Sequence, residues 1–339
     1  MPAYQHLAYR RNAQAAARKQ QIRPQRNLEA LKKARDDFGF FCEYVADKPP
    51  ADHHKEWHRH FVTNEDSSCL LKIAGPNIDL LAPRGSAKST ILGLFTAWAI
   101  GIHTQAKKPL QILYLSYTVD IARSKSATIK RIIESKRYQE VFPSVRLLKN
   151  VTSNEYWSID HKFAGIDVTG EEQFTLCAAG LKGSVTSKRS QLIIIDDAIK
   201  SAADIANPDI RKMMQDNWNA VIAPTMFEGG RAICLGTRFR HDDIHATTFN
   251  AQNNWTQIVL SALQNDPKTG EEISYWPDMW SVDYLREKRR QAPIAFSFQY
   301  MNQIVRQNEL SLAPELIVKA EIATEFDALR SEEHTSELQ

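Results

Sequence analysis

The sequence predicts an α/β fold in which a mainly parallel sheet is flanked by helices. Three apolar runs, residues 78–82, 110–117 and 191–197, read as buried strands; the first leads into a polar turn and the last ends in two acids. Helix-like segments follow the first two of these strands. Open sheets of this kind bind ligands at the carboxyl ends of their strands, so the polar strand ends are where a functional site is expected.

The first strand leads into a turn of small residues and then into an apolar helix. Residues 78–91 read IDLLAPRGSAKSTI, which has the order of a phosphate-binding P-loop. In such a loop, main-chain N–H groups surround the β-phosphate, Lys88 reaches the β and γ oxygens, and the Ser89 hydroxyl is a magnesium ligand. Both glycines of the GxxxxGK[ST] pattern are alanines here, Ala82 and Ala87. The alternative is a strand-to-helix turn with a helix-capping serine. The predicted nucleotide-binding residues of the loop are Pro83, Arg84, Gly85, Ser86, Ala87, Lys88, Ser89 and Thr90.

The third strand ends in two acids. Residues 191–197 read QLIIIDD, the arrangement of a Walker B strand, in which Asp196 would hold magnesium through water and Asp197 would orient and polarise an attacking water. Glutamate is commoner at the second position, and a helix-capping aspartate would look similar. With a P-loop about a hundred residues upstream and one strand between them, the acid pair favours a nucleoside triphosphatase.

A later strand ends in Gly-Thr-Arg. Residues 231–238 read RAICLGTR, and a polar strand tip formed by Gly236 and Thr237 is predicted to sense the γ-phosphate and couple it to movement. The alternative is a strand-ending turn. Asp242 and Asp243, which follow, are expected to be surface or capping residues.

A histidine-rich helix precedes the P-loop. His54 and His58 stand four residues apart, but the glutamate is misplaced for HExxH, which argues against zinc. Two alternatives remain. His54 and Trp57 lie on the adenine side of the nucleotide, or this is a plain surface helix with a buried Trp57.

Length and composition set broader limits. The 339 residues allow roughly two domains, and 43% apolar with 24% charged residues is an ordinary globular composition. Net charge is only +3, yet residues 10–35 carry nine basic residues against one acid, Glu29. Residues 1–36 are therefore predicted to be a basic helical or disordered arm that suits nucleic acid or an acidic partner. The alternative is a solvated helix or tail.

Four scattered cysteines read as reduced thiols of a cytosolic protein. The N-terminus has no apolar core behind its basic residues, and the longest apolar segment is too short to cross a bilayer. A soluble protein with no membrane partner is expected.

Taken together, these motifs resemble the large terminase subunit of tailed bacteriophages, the ATPase that packages DNA into a procapsid. The resemblance covers residues 38–305. It rests on the deviant P-loop with an early arginine, on LYLSYTVDIARSKS, on the Lys188-Arg189 loop that leads into LIIIDD, on LGTRFRHDDIH, and on YWPDMWSVDYLREKRRQAPIAFSFQY.

The resemblance implies ATP and Mg²⁺ as cofactors, a homo-oligomeric ring, and action in the host cytoplasm. It implies double-stranded DNA, the small terminase subunit and the procapsid portal protein as partners. It also implies an arginine finger, because the γ-phosphate charge must be neutralised in the transition state. Arg84 would supply it from within the loop, or Arg189 would reach a neighbouring subunit.

The same resemblance sets the expected domains: the ATPase domain at 37–265, a helical lid or linker subdomain at 266–310, and the start of a linker to an RNase H-like nuclease at 311–329. Residues 330–339, RSEEHTSELQ, resemble the translation of a sequencing-library adapter. We therefore expect the natural reading frame to depart from this one at about Leu329, the alternative being a genuine polar tail. Two rival functions stay open: a helicase-like P-loop ATPase, and a non-catalytic nucleic-acid-binding protein with a vestigial P-loop.

Overall fold

The computed structural model describes residues 28–62, 76–168, 174–183, 185 and 188–303. Residues 1–27 of the basic arm, the predicted linker at 311–329 and the residues 330–339 lie outside the described parts. The helices are α1 (28–36), α2 (Phe38–Ala46), α3 (Asp52–Phe61), α4 (Lys88–Gln105), α5 (Val119–Glu134), α6 (Lys136–Val141), α7 (His161–Ala164), α8 (Pro208–Asn217), α9 (Val282–Gln291) and α10 (Pro293–Gln299). Short 3₁₀ turns lie at Ala203–Ile205 and Ala223–Thr225, and π-helical turns at Trp218–Ile222 and His245–Phe249.

Eight strands form one sheet in the order β3-β4-β5-β2-β6-β7-β1-β8. Pairing is parallel from β5 through to β8, and antiparallel only where β3 and β4 extend the edge. The predicted mainly parallel sheet is therefore confirmed. The strands are β1 (Asn77–Leu81), β2 (Ile112–Ser116), β3 (Leu147–Thr152), β4 (Tyr156–Ile159), β5 (Leu176–Gly180), β6 (Ser190–Asp196), β7 (Met226–Gly236) and β8 (Trp255–Val259), with β9 (Leu263–Asn265) and β10 (Glu272–Ser274) in a separate antiparallel pair.

Helices cover both faces of the sheet. Along β6, Leu192 and Ile194 belong to one buried apolar cluster, while Ile193 and Ile195 belong to the cluster on the opposite face. A strand buried on both sides needs apolar residues at every position, which explains the unbroken run LIII. Helix α4 is apolar almost all round because it lies within the first cluster.

The order of the three central strands places the strand ends together. β7 lies between β1 and β6 and is parallel to both. Their carboxyl ends, Leu81, Gly236 and Asp196, therefore meet at one edge of the sheet, where a ligand site is expected.

A third apolar cluster joins β9, α9 and α10. It is formed by Ala262, Leu263, Leu285 and Phe296. This C-terminal unit overlaps the subdomain predicted at 266–310, whose exact bounds stay a prediction. None of the helices in the described ranges combines the length and the hydropathy that crossing a bilayer requires.

Arg231, at the start of the apolar part of β7, links the end of α3 to the residue before β1 through hydrogen bonds. Its side chain is fully buried, and the guanidinium donates to the main-chain oxygens of Pro76 (2.8 Å), Phe61 (2.9 Å) and His60. Burial lowers the pKa of Arg231 to about 10. The carbonyl groups at the end of α3 are thus satisfied by a side chain from the sheet.

We expect Arg231→Met to lower the free energy of unfolding by about 3 kcal/mol, because methionine keeps much of the packing but leaves buried carbonyl groups without donors. Urea unfolding measures this change. Arg286→Met, in which an exposed pair with Glu272 is removed, is the matched control and should cost less than about 1 kcal/mol. Equal stability of the two variants would contradict the role given to Arg231.

Candidate nucleotide-binding site

Two residues of the loop between β1 and α4 have positive φ angles. Gly85 has φ 82° and Ala87 has φ 58°, so the chain passes twice through the left-handed region before α4 begins at Lys88. A left-handed alanine costs roughly 1 to 2 kcal/mol, which is why the common pattern has glycine at the position of Ala87. Ala87 therefore adopts this conformation at the expense of local strain, a feature that concentrates at functional sites.

Lys88 lies at the centre of the loop. Its ammonium group donates to the main-chain oxygens of Ala82 (3.2 Å) and Pro83 (3.1 Å) and to the hydroxyl of Thr237 (3.0 Å). The side chain is buried, and burial lowers the pKa of Lys88 while the nearby Asp197 and Asp196 carboxylates oppose that shift. The predicted P-loop lysine and the predicted coupling threonine are thus in direct contact.

Asp196 meets Ser89 at the end of β6. The Ser89 hydroxyl donates to Asp196 Oδ1 at 2.8 Å, and the Tyr114 hydroxyl donates to Oδ2 at 3.1 Å. Burial, followed by the neighbouring Asp197, raises the pKa of Asp196 to about 6, against which Lys125, 3.8 Å away, acts. A serine hydroxyl beside a buried carboxylate is the protein ligand set that Mg²⁺ takes in nucleotide sites, where most other ligands are water and phosphate. The residues present therefore fit the ion.

Asp197 is the first residue after β6 and is half-buried. It has φ 52°, and its N–H donates to the Leu235 carbonyl in β7 at 2.9 Å. The left-handed turn brings the chain away from the sheet directly after Asp196. The second acid therefore lies at the cavity and is less enclosed than the first.

A cavity of about 360 Å³ joins these groups. It is lined by all the predicted loop residues from Arg84 to Thr90, by Asp196 and Asp197, and by Thr237. Pro83 and Gly236 contribute main-chain oxygens behind it: Pro83 accepts from Lys88, and Gly236 accepts from the Ala82 N–H at 3.0 Å. The cavity also has lining residues that the sequence analysis did not single out, namely Ser116, Tyr117, Ile121, Lys125, Ile199, Lys200 and Phe239.

Two of these additional residues are cations that suit a polyphosphate. Lys125 is on the second turn of α5, which starts directly after β2, and Lys200 follows the acid pair by three residues. The signal that could have found Lys125 is topological. The helix after a parallel strand begins at the same edge as the strand ends, so its first turns lie beside the P-loop.

His54 and Trp57 lie behind the loop, and neither lines the cavity. His54 Nδ1 accepts from the Ala51 N–H at 3.1 Å, so Nε2 is left to donate to the Ser86 carbonyl at 2.9 Å. Trp57 is buried against the rings of His53 and His54. In this structure His54 contacts the loop through Ser86 and Trp57 packs against His54, and the predicted contact of these residues with an adenine base stays a prediction.

The two candidate arginine fingers lie in different places. Arg84 is exposed on the loop, and its guanidinium donates to Gln299 Oε1 at 3.2 Å. Arg189 is exposed just before β6, with its guanidinium 5.0 Å from the centre of the Phe227 ring. Six residues of extended chain lie between it and Asp196, a span of about 20 Å at the usual rise of a strand. Arg189 therefore lies far from the cavity of its own chain.

The C-terminal unit rests on the P-loop. The Arg84 N–H donates to the Gln299 carbonyl at 2.8 Å. The Trp280 ring lies so close to Gly85 that a Cβ added there would be 2.8 Å from ring atom Cζ2. Glycine is thus required at position 85 both by its positive φ and by this neighbour.

The sequence and the fold can be compared with those of known proteins. No protein-family model matches the sequence, and no curated protein matches it. Several solved structures are similar, among them the following three. The first is a mutant of the ATPase domain of the Thermus phage P74-26 large terminase, at 14% identity and a TM-score of 0.46, covering 78% of this chain and 97% of that one. The second is the HK97 bacteriophage large terminase, at 13% and 0.45, covering 75% and 50%. The third is the bacteriophage Phi-29 viral genome packaging motor assembly, at 16% and 0.33, covering 70% and 64%.

This chain therefore spans about half the length of the HK97 protein and nearly all of the isolated P74-26 domain. The identities and TM-scores are modest, so the likeness is a remote one. The similar structures are large terminases, terminase ATPase domains and a packaging motor, the class of protein that the motifs resemble.

Proposed function

We propose that this protein is a magnesium-dependent ATPase whose hydrolysis of ATP drives double-stranded DNA into a phage procapsid. One observation carries the ATPase part. Lys88, Ser89, Asp196 and Thr237, which the sequence spreads over 150 residues, form two connected hydrogen-bonded pairs at the same cavity. A plain strand-to-helix turn gives no reason for a lysine, a hydroxyl and a buried carboxylate to meet at one edge of the sheet beside a loop with left-handed residues.

Each residue has a distinct role in this proposal. The loop N–H groups and Lys88 bind the phosphates, and Ser89 and Asp196 hold Mg²⁺, which when bound neutralises charge on the phosphate oxygens. Asp197 orients the attacking water and accepts its proton. Thr237 loses its hydrogen bond with Lys88 when the γ-phosphate binds and regains it when the phosphate leaves. In this way the end of β7 detects hydrolysis.

Transition-state charge requires one more cation. Arg84 is on the cavity lining and would act within its own chain. Arg189 precedes β6, at the end of the strand remote from the cavity, and would act only on a neighbouring subunit of a ring. The proposal includes such a homo-oligomeric ring, docked on the procapsid portal protein and supplied with DNA by the small terminase subunit, in the host cytoplasm. The basic residues 10–35 suit the DNA backbone, which a packaging motor must contact without regard to sequence.

Asp197→Asn tests the catalytic assignment. We expect kcat for ATP hydrolysis to fall about 100- to 10,000-fold, because a positioned base is lost, while the Kd for ATP stays within about threefold. Phosphate release and binding of a fluorescent ATP analogue with Mg²⁺ measure the two quantities. Asp209→Asn, on the exposed first turn of α8, is the matched control and should leave both unchanged. Full turnover in Asp197→Asn would refute the assigned role.

The DNA part of the proposal needs its own measurement. Double-stranded DNA of any sequence should stimulate ATPase turnover, and stimulation should weaken steeply as salt is raised. Strand separation on a forked duplex would instead favour a helicase-like ATPase. A wild-type protein that binds no ATP analogue in a magnesium-dependent way would favour the non-catalytic nucleic-acid-binding alternative.

A further inference from the structure

A buried polar pair lies beneath the nucleotide site, outside the cavity. Asp79, in the middle of β1, is fully buried, as is His245 in the π-helical turn. His245 Nδ1 is 2.8 Å from Asp79 Oδ1, and because a carboxylate can only accept, the imidazole donates. The side-chain amide of Gln257 donates to the other carboxylate oxygen at 2.9 Å. Without these partners, a carboxylate in a strand buried on both faces would be strongly destabilising.

The ring of His245 lies directly against the end of β7. A Cβ added to Gly236 would be 2.5 Å from ring atom Cε1 and 2.7 Å from Nε2, so only glycine lets the ring approach this closely. The next residue is Thr237, whose hydroxyl accepts from Lys88 and donates to the Ala82 carbonyl at 3.2 Å. The ring therefore supports the main chain one residue before the contact between Thr237 and Lys88.

The segment between the strand end and the ring is itself fixed. Arg238 and Asp243 form a buried ion pair at 3.1 Å, and Asp243 also accepts from the N–H groups of Phe239 and Arg240. The turn that leads to His245 is thus held by its own internal contacts. A shift of the ring would have to be taken up by the strand end and not by this turn.

A metal ion is the competing explanation of the cluster. Asp79, Cys234 and His245 offer ligand atoms within 4.8 Å of one another, all of them buried. However, two ligands of a tetrahedral zinc ion lie about 3.3 Å apart, given bonds of about 2 Å. The 2.8 Å between Nδ1 and Oδ1 is a hydrogen-bond distance, and Gln257 already occupies the other carboxylate oxygen.

We propose that His245, oriented by Asp79, is a positioning residue that holds Gly236 and Thr237 where Thr237 meets Lys88. The inference rests on the ATPase function proposed above. It adds a residue that supports the site without contacting the nucleotide. Its loss should misplace Thr237 in the transition state more than it weakens the binding of ATP.

The kinetic test is a double-mutant cycle of His245→Ala and Thr237→Ala. We expect His245→Ala to lower kcat about 10- to 100-fold, with KM for ATP within about threefold, because small displacements of a catalytic contact have effects of this size. In a Thr237→Ala background, His245→Ala should have almost no further effect on kcat, since the two residues act through one contact. His103→Ala, at a buried histidine near the far end of α4, is the matched control and should leave kcat unchanged.

A second cycle tests the geometry without using activity. Gly236→Ala alone should be strongly destabilised by its clash with the ring. The double variant with His245→Ala should be clearly less destabilised than the sum of the two single variants, because the clash disappears with the ring while each single variant carries its full cost. Urea unfolding of the four proteins gives the comparison.

The outcomes are separable. Wild-type protein without turnover refutes the proposed function, and the second cycle then still decides whether the ring supports the strand end. Unchanged kcat in His245→Ala, or effects of His245→Ala and Thr237→Ala that multiply, would overturn the positioning role. One equivalent of tightly bound metal in purified protein, lost in Asp79→Ala, would overturn it in favour of a metal site.

Discussion

Lys88→Ala is expected to abolish ATP hydrolysis, with kcat/KM reduced about 100- to 1000-fold or more, as when a single preorganised donor to developing charge is removed. The ammonium of Lys88 is held at one point by three acceptors, two from its own loop and one from Thr237. Those acceptors keep the side chain oriented toward the cavity before phosphate arrives. Removing it deletes the charge and also the link from the loop to the end of β7.

Colorimetric phosphate release over a range of ATP concentrations measures this loss. Lys88→Met separates charge from packing, because methionine retains much of the apolar stem, and it should be as inactive as the alanine variant. Lys212→Ala, in which an exposed pair with Asp216 is lost, is the control and should hydrolyse ATP normally. Turnover of either Lys88 variant at the wild-type rate would remove the P-loop from the proposed mechanism.

Asp196→Asn is expected to change activity and stability in opposite directions. Activity should be lost, because a neutral amide is a poor magnesium ligand beside Ser89. Stability should rise, because burial and the neighbouring Asp197 raise the pKa of Asp196 from 3.8 to about 6, which means that the folded protein disfavours its charge. The amide oxygen can still accept from Ser89, and the amide N–H can donate to the Tyr114 hydroxyl oxygen, so both hydroxyls that contact the carboxylate keep a partner.

The pH dependence of this stability difference follows from the linkage between protonation and folding. Between the unfolded and the folded pKa, the folded state binds more protons, so the contribution of Asp196 to stability falls as pH rises from about 4 to about 6 and stays unfavourable above that. The asparagine variant should therefore unfold at higher urea than wild type at pH 7.5, by on the order of 1 to 3 kcal/mol, and the difference should shrink toward pH 4. These measurements are made without nucleotide or metal. A variant less stable than wild type at pH 7.5 would show that the carboxylate is not strained by burial.

The parts of the site that were predictable from sequence are those encoded in contiguous residues. The turn before Lys88, the apolar strand before Asp196 and the Gly-Thr tip of β7 each combine a buried strand with a polar end, a pattern that can be recognised locally. The fold class follows from the same strands. Their meeting at one cavity follows from the general rule that parallel strands end at one edge.

The parts that were missed depend on contacts between distant residues. Sequence order places β2 between the P-loop strand and the acid-pair strand, whereas in space β7 lies between them. Asp243 was expected at the surface or as a cap. It does cap its turn, but it is fully buried because Arg238, five residues earlier, neutralises it. Neither Trp280 nor Gln299 carries any local sign that it contacts a loop some 200 residues away.

The support of Gly85 by Trp280 and of Arg84 by Gln299 bears on how the protein can be shortened for study. A version that stopped at Val259 would retain all eight strands of the main sheet and most of the groups expected to touch ATP. It would nevertheless lack the C-terminal unit that contacts Arg84 and Gly85, so weak nucleotide affinity in such a fragment would reflect the loss of these contacts. Boundaries for biochemical work are better drawn after Gln303 than at the last strand.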